Sequence, residues 1–408
     1  MAFTKRVGFE REESFTSVPG NGDLLTDAWG TQKVSTPYSL FHGVWTFSIP
    51  SSMWFMYENG TQVYSSTNVI SNNSVAQLTA DVTNTTVLLE SRECPRYQPN
   101  RGHLFSTSGW FPNKTNNGVR DFGLFTAEHG VFFRLKSDGK LYAVLRRNST
   151  EVLEEEIDTS SLSNFDVEKN NVYDIQFQWR SAGNYKFFIG DPGTGASKLV
   201  HTFNLLGTLT SPSLGNPALP ISFKATRTTE DVEMNIGCAD VTSENGNGEA
   251  HQYESAFAEG VSVSSTDSPV LTLYSPLQAA GETNTRTVHL ARITMTCDKK
   301  ATFKVWVTRD GAAITGATLA TINNNGGTLM QSDSPDSSTG AVRATSVTPA
   351  SMSVITAAPV QANDRTPIEN PLERRIVFPV VRGDYLVVTC SPSGTATAEC
   401  VIEWGEQI

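Results

Sequence analysis

The sequence predicts an all-β protein: two antiparallel β-sandwich domains, of jelly-roll or concanavalin-like type, behind an extended N-terminal arm. Three observations carry that prediction. Apolar residues make up only 38% of the chain while Gly (31) and Pro (19) are frequent, a mix that favours short strands and turns over helical bundles. The sharpest periodicity is two: in the stretch 172–180, Tyr173, Ile175, Phe177 and Trp179 alternate with Asp174, Gln176 and Gln178, as in a strand with one face on a core. Finally, 408 residues exceed what a single sandwich core needs, so more than one domain is expected.

Taken in order, residues 1–50 contain Gly20-Asn21-Gly22 and Pro37 and show neither helical nor sustained strand periodicity. They read as an arm. A free arm cannot protect Phe3, Phe9, Phe15 and Trp29, so these are expected to be buried against a neighbouring copy in a symmetric homo-oligomer. The first sandwich is placed at 51–245. Strands are expected at 87–92, 103–108 and 118–126, then a hairpin in which Asp138-Gly139 joins 132–136 to 141–146. A second hairpin turns at Ser181-Ala182-Gly183 between 172–180 and 185–189, and further strands fall at 220–226 and 232–241. Glu244-Asn245-Gly246-Asn247-Gly248-Glu249 has linker composition, and 246–254 is assigned as the linker. The second sandwich, 255–408, takes strands at 261–263, 270–274, 287–297, 302–309, 375–381, 385–390 and 399–404, with 323–340 as a long polar loop.

The formal net charge of -11 argues against direct nucleic-acid binding by the surface as a whole. It is unevenly distributed: ten Lys and Arg between Arg92 and Arg147 face four acids, a local +6, and acids then crowd 151–174. The ordinary reading is solvated strand faces; the sharper one is complementary faces on neighbouring copies. No apolar run is long enough to span a membrane, and 1–13 lacks an apolar signal core, so synthesis in the cytoplasm and no membrane insertion are expected. The five cysteines, Cys94, Cys238, Cys297, Cys390 and Cys400, have no metal-ligand spacing, and thiols are expected over disulfides. Cys390 and Cys400 flank Ser391-Pro392-Ser393-Gly394, which reads as a hairpin.

Enzyme signatures mostly fail. Gly190-Asp191-Pro192-Gly193-Thr194-Gly195-Ala196-Ser197-Lys198 lacks the Gly-Lys-Ser/Thr ending of a phosphate loop and reads as a turn. The six histidines, 42, 103, 129, 201, 251 and 289, have no spacing for a metal or a triad. Arg382-Gly383-Asp384 matches an adhesion tripeptide but fits an ordinary turn. Glu154, Glu156 and Asp158 fall on one strand face, as in sandwich-fold glycosidases that flank a glycosidic bond with two carboxylates. Such enzymes carry a further Glu where Thr159-Ser160-Ser161 stands here. Catalytic residues, cofactor and metal are therefore all read as none. The aromatic group Trp45, Phe47, Trp54, Phe55, Tyr57, Trp110 and Phe111 is read first as core or interface packing and second as a platform for sugars, with Trp110 and Phe111 as candidate ligand contacts.

Two blocks carry a family resemblance. The run from Asp27-Ala28-Trp29-Gly30 through Lys33-Val34-Ser35 to Pro37 and Leu40-Phe41 resembles an Asp-Ala-Phe-Gly-x-x-Arg-Val-Ser-x-Pro-x-x-Leu-Phe signature of structural proteins of tailed bacteriophages and some large DNA viruses. A second block, Ser91-Arg92-Glu93-Cys94-Pro95-Arg96-Tyr97-Gln98-Pro99-Asn100-Arg101-Gly102, is similar to one that follows in those proteins, as is the region from Phe122 to Phe133. The resemblance spans about 25–245, with Trp29 and Lys33 as departures. It implies a non-enzymatic structural component of a tailed-phage particle, in the tail, neck, collar or capsid decoration, located in the virion. Its partners would be copies of itself and other virion proteins. Arg92, Arg96 and Arg101 are candidates to pair with acids across a subunit interface. The other expectations are a host receptor- or glycan-binding virion protein, and a glycan depolymerase centred on Glu154, Glu156 and Asp158.

Overall fold

The computed structural model describes residues 37–99, 101–115, 118–244, 251–264, 266–279, 281–322, 328–361, 365–369 and 379–407. The chain divides into two compact units, Met1–Gly248 and Glu249–Ile408. Both are all-β, built from antiparallel strands in facing sheets.

The first unit contains β1 (Pro37–Val44), β2 (Trp54–Glu58), β3 (Thr61–Val63), β4 (Val69–Asn72), β5 (Val75–Ala80), β6 (Thr86–Ser91), β7 (His103–Trp110), β8 (Gly118–Phe125), β9 (Gly130–Leu135), β10 (Leu141–Arg147), β11 (Thr150–Glu156), β12 (Asn171–Gln178), β13 (Asn184–Gly190), β14 (Ser197–Asn204), β15 (Ile221–Arg227) and β16 (Val232–Glu244). One sheet runs β14-β13-β12-β7-β16-β5-β4, with β1 also on β16; the other runs β11-β10-β9-β8-β15-β6-β2-β3. Between them lies an aromatic core. Phe122 packs on Phe111 at 4.8 Å, on Tyr173 at 5.0 Å and on Phe133 at 5.1 Å. One cation is buried there too: Arg120 is fully enclosed and donates to the carbonyls of Glu233, Pro112 and Asn113 at 2.8, 2.8 and 3.1 Å, tying the 112–113 turn to β16.

Both expected hairpins form, β9 to β10 and β12 to β13. The alternation in β12 puts Tyr173, Ile175 and Phe177 in the core. The opposite face is not solvated as expected, because Asp174 and Gln176 are buried as well. The Asp174 carboxylate accepts from Ser106 at 2.6 Å and from Ser197 at 3.0 Å.

Three sequence expectations need correction. The arm does not extend to residue 50: β1 is a strand of the sheet, registered on β16 from Pro37↔Glu244 to Val44↔Cys238. Its Phe41 meets Trp54 edge-on at 5.3 Å, and Trp45 lies 5.5 Å from Trp54. A strand whose partner lies some two hundred residues away carries no turn signal, and a bulge between Ser39 and Phe41 breaks its alternation. Phe3, Phe9, Phe15 and Trp29 lie outside the described residues. The 246–254 linker is also too long, since a strand begins at His251 and runs to Val263. It pairs with the C-terminal strand Ala396–Gln407, again a distant partner.

The third correction concerns 323–340, which is not an open loop over its described part, 328–340. Gln331–Ser332 pairs with Tyr274 and Leu273, and Ser332, Asp333 and Ser334 are fully buried. The Asp333 carboxylate accepts from the Thr272 amide at 2.7 Å and the Ala344 amide at 2.9 Å. Buried Glu406 receives Arg286 at 2.8 Å and the hydroxyl of Thr328, fastening the start of this segment to the last strand. Polar composition reads as a loop when its partners cannot be seen.

The second unit has a sheet of Ala396–Gln407 between His251–Val263 and Val288–Cys297, with Arg365–Glu369 beyond. Facing it is a sheet in which Tyr385–Pro392 lies between Ser268–Tyr274 and Ala301–Thr308, with Ser353–Val360 outside the latter. Phe303, Met295, Val388, Ile402 and Trp404 fill the space between. Tyr385–Pro392 and Ala396–Gln407 belong to different sheets, so the turn after Cys390 is a crossing between layers and not a hairpin. Arg382-Gly383-Asp384 is a turn, as expected: Arg382 and Asp384 are buried, and Arg309 holds the Asp384 carboxylate at 3.2 Å.

Candidate functional site

The basic block and the acids that follow it meet within one sheet. In β8, β9 and β10, residues whose side chains point away from the core include Asp121, Arg134, Arg146, Phe132 and Val144; pairing sets Val144 beside Glu154 and Tyr142 beside Glu156 on β11. Arg134 donates to Asp121 at 2.7 Å and to Glu151 at 3.2 Å, and Arg146 to Glu151 at 2.9 Å. Lys136 closes on Glu154 at 2.5 Å and Lys140 on Glu156 at 2.8 Å. Burial opposes the charge on Arg134, but the Asp121 hydrogen bond and the surrounding carboxylates outweigh it and hold the proton more firmly than usual. These guanidinium groups roof a small apolar cluster of Phe125, Phe132 and Val144, with Arg146 4.9 Å from the Phe132 ring centre. Four cations of the basic block are thus paired with carboxylates on adjacent strands of one sheet.

Where β11 ends, the face opens into a groove of 510 Å³ formed by the β9–β10 turn, the 156–160 segment and the 165–167 segment, with Lys114 across from them. Its charged groups are Glu156, Asp158, Asp166, Lys114 and Lys140, its hydroxyls those of Thr159 and Ser160, and half-buried Phe165 supplies an aromatic surface. Asp158 accepts from the Ser160 amide at 2.9 Å, and its hydrogen bonds to Ser160 hold the carboxyl below its ordinary range. Asp166, bonded by the Glu168 amide and by Lys114 at 3.2 Å, is lowered likewise. Of Glu154, Glu156 and Asp158, the last two line this groove and Glu154 does not. Local spacing indicated Glu156 and Asp158; Lys114, Lys140, Phe165 and Asp166 were missed. The Asp138-Gly139 turn was the one available signal, since it sets where Lys140 projects.

The other anticipated site residues are dispersed. Phe111 is fully buried against Phe122, which corrects its reading as a ligand contact. Trp110 is half-buried at the end of β7. Trp45, Trp54 and Phe55 are core residues, whereas Phe47 is 95% exposed. Arg92 is buried inside its own unit, 4.3 Å from the Phe55 ring centre; Arg96 and Arg101 are half-buried. Among the described residues, no group of three His, Cys, Asp or Glu side chains is placed to hold a metal ion, and no helix is long and apolar enough to cross a membrane.

Comparison with known proteins gives no matching family model and no matching curated relative. Among solved structures, the chain is similar to a glycosyl hydrolase family protein of Mycobacterium fortuitum, with 14% identity and a TM-score of 0.37 over 50% of this chain and 99% of that one. It is similar to a β-1,3-glucanase of Mycobacterium marinum, with 14% identity and a TM-score of 0.35 over 50% of this chain and 98% of that one. A pseudo β-1,3-glucanase and immunostimulatory antigen of Mycobacterium tuberculosis gives 12% identity and a TM-score of 0.35 over 51% and 99%. At such identities the likeness concerns the β-sandwich alone. The expectation of a structural component of a tailed-phage particle finds no counterpart among these neighbours, which are glycosyl hydrolase and glucanase-like proteins of mycobacteria, and is withdrawn.

Proposed function

We propose that the chain is a carbohydrate-binding β-sandwich protein that holds a glycan without cleaving it, in the groove at the end of β11. The observation that carries this reading is the combination of ionised carboxylates, lysines and one aromatic face around an open groove of 510 Å³. Carboxylates accept hydrogen bonds from paired sugar hydroxyls, lysines donate to ring and hydroxyl oxygens, and an apolar ring covers the C–H face of a pyranose. Cleavage asks for something else: one carboxyl kept protonated near neutrality beside a second that is ionised. Here Asp158 and Asp166 are shifted towards the charged form, Glu156 is paired with Lys140, and Glu154 is paired with Lys136.

Glycan-array screening of the full chain, followed by titration calorimetry on the best ligand, tests the proposal. Saturable binding is expected, weakened roughly tenfold or more by Asp158→Asn or Phe165→Ala, with no reducing ends released on prolonged incubation. No saturable binding to any glycan, or affinity indifferent to both substitutions, overturns the site; steady release of reducing ends overturns the non-catalytic part.

A further inference from the structure

We propose that Cys297 and Cys390 become joined as a disulfide across the two sheets of the second unit when the chain folds in the presence of a thiol–disulfide oxidant such as oxidised glutathione. All five cysteines stand as thiols in this structure. Three of them, Cys297, Cys390 and Cys400, belong to the same core between the sheets. Cys297 is the last residue of Val288–Cys297 in one sheet. Only Asp298, Lys299 and Lys300 separate it from Ala301–Thr308 in the facing sheet, so the chain crosses between the layers directly beyond Cys297. Cys390 occupies that same end, paired with Phe303 on the strand just entered. Cys400 lies beside Met295, one inward-facing position further from the crossing.

Facing sheets are generally about 10 Å apart, too far for the Cα separation of roughly 4.4–6.8 Å that a disulfide needs, so such a bond forms only where layers draw together. The two thiols lie close enough in this core for the charge of one to weigh on the other. Burial first, and the Cys297 side chain second, push the Cys390 thiol up to about 12, which makes it a poor nucleophile in the closed core. The bond therefore forms during folding, before closure. The thiolate of one cysteine attacks the oxidant's disulfide and expels one glutathione thiolate; the second cysteine then attacks the protein's sulfur of that mixed disulfide and expels the other. One S–S bond forms as one breaks, and two electrons and two protons pass from the cysteines to two glutathione thiols.

The test is refolding of the full chain in a glutathione redox couple and, separately, in excess reductant, followed by denaturation, alkylation with iodoacetamide and peptide mapping. Expected are three alkylated cysteines after oxidative refolding against five after reductive refolding, and a linked peptide pair containing 297 and 390. Cys400→Ala should keep that link, and Cys297→Ala should leave every remaining thiol alkylated. Five alkylated cysteines after oxidative refolding, or a link through Cys94, Cys238 or Cys400 instead, overturns the proposal.

Discussion

His103 shows how one side chain can set the acid limit of the fold. It is 1% exposed, stacked 5.1 Å from Tyr97 and tilted against Phe177 at 5.3 Å, and its Nε2 accepts from the Gln98 amide at 3.1 Å. Accepting that bond requires the neutral ring. Burial, assisted by the charge of Arg101, lowers its pKa from 6.5 to about 3. Above pH 6.5 the ring is neutral in the folded and unfolded chain alike and stability does not depend on it. Below that value the unfolded chain takes up a proton that the folded chain refuses, so stability falls as the pH drops from about 6.5 towards 3. The slope for one such group is at most about 1.4 kcal/mol per pH unit. Urea midpoints measured between pH 7 and pH 4 should decline less steeply in His103→Gln, which keeps an acceptor but does not titrate over this range. Identical slopes would remove His103 from the account. Sequence made this residue visible only as a scattered histidine without a partner, because Tyr97 and Phe177 reach it by folding.

At the scale of elements, pairing and close approach decide what composition leaves open. Gly123, in β8, has φ +152°, and a Cβ there would stand 2.7 Å from the Cα of Phe132 and 2.8 Å from the Val131 carbonyl oxygen. Gly123→Ala should therefore strain the β8–β9 pairing, lowering stability by about 2 kcal/mol or more in equilibrium unfolding. An unchanged midpoint would mean the two strands separate freely at this point. Hairpins such as β9–β10 and β12–β13 were legible because turn and alternation lie together in a short window. Strands with remote partners, β1 and His251–Val263, were not, and polar residues at 328–340 looked like solvent-facing loop until their buried acceptors were in view. The candidate site follows the same rule. Glu156 and Asp158 were readable from local spacing, whereas Lys114 and Phe165 come to the groove from other segments.

For the whole molecule, two cores mean two separable sources of stability. Phe303 is fully buried in the core of the second unit, and Phe303→Ala should cost that core about 3–5 kcal/mol. In hydrogen exchange, amides of Ala301–Thr308 and its neighbours should lose protection, while those of β8, β9 and β12 keep theirs. Equal loss in both sets would show that the units unfold as one.

The ion pairs on β8 to β11 also bear on how the molecule meets charged surroundings. Their cations are held by carboxylates of the same sheet, several in partly buried positions where dissolved ions compete weakly. A polyanion such as heparin therefore meets cations already engaged on that face: Arg134, Lys136, Lys140 and Arg146, four of the ten that the sequence crowds into Arg92–Arg147. To an approaching particle, those four are charges already answered.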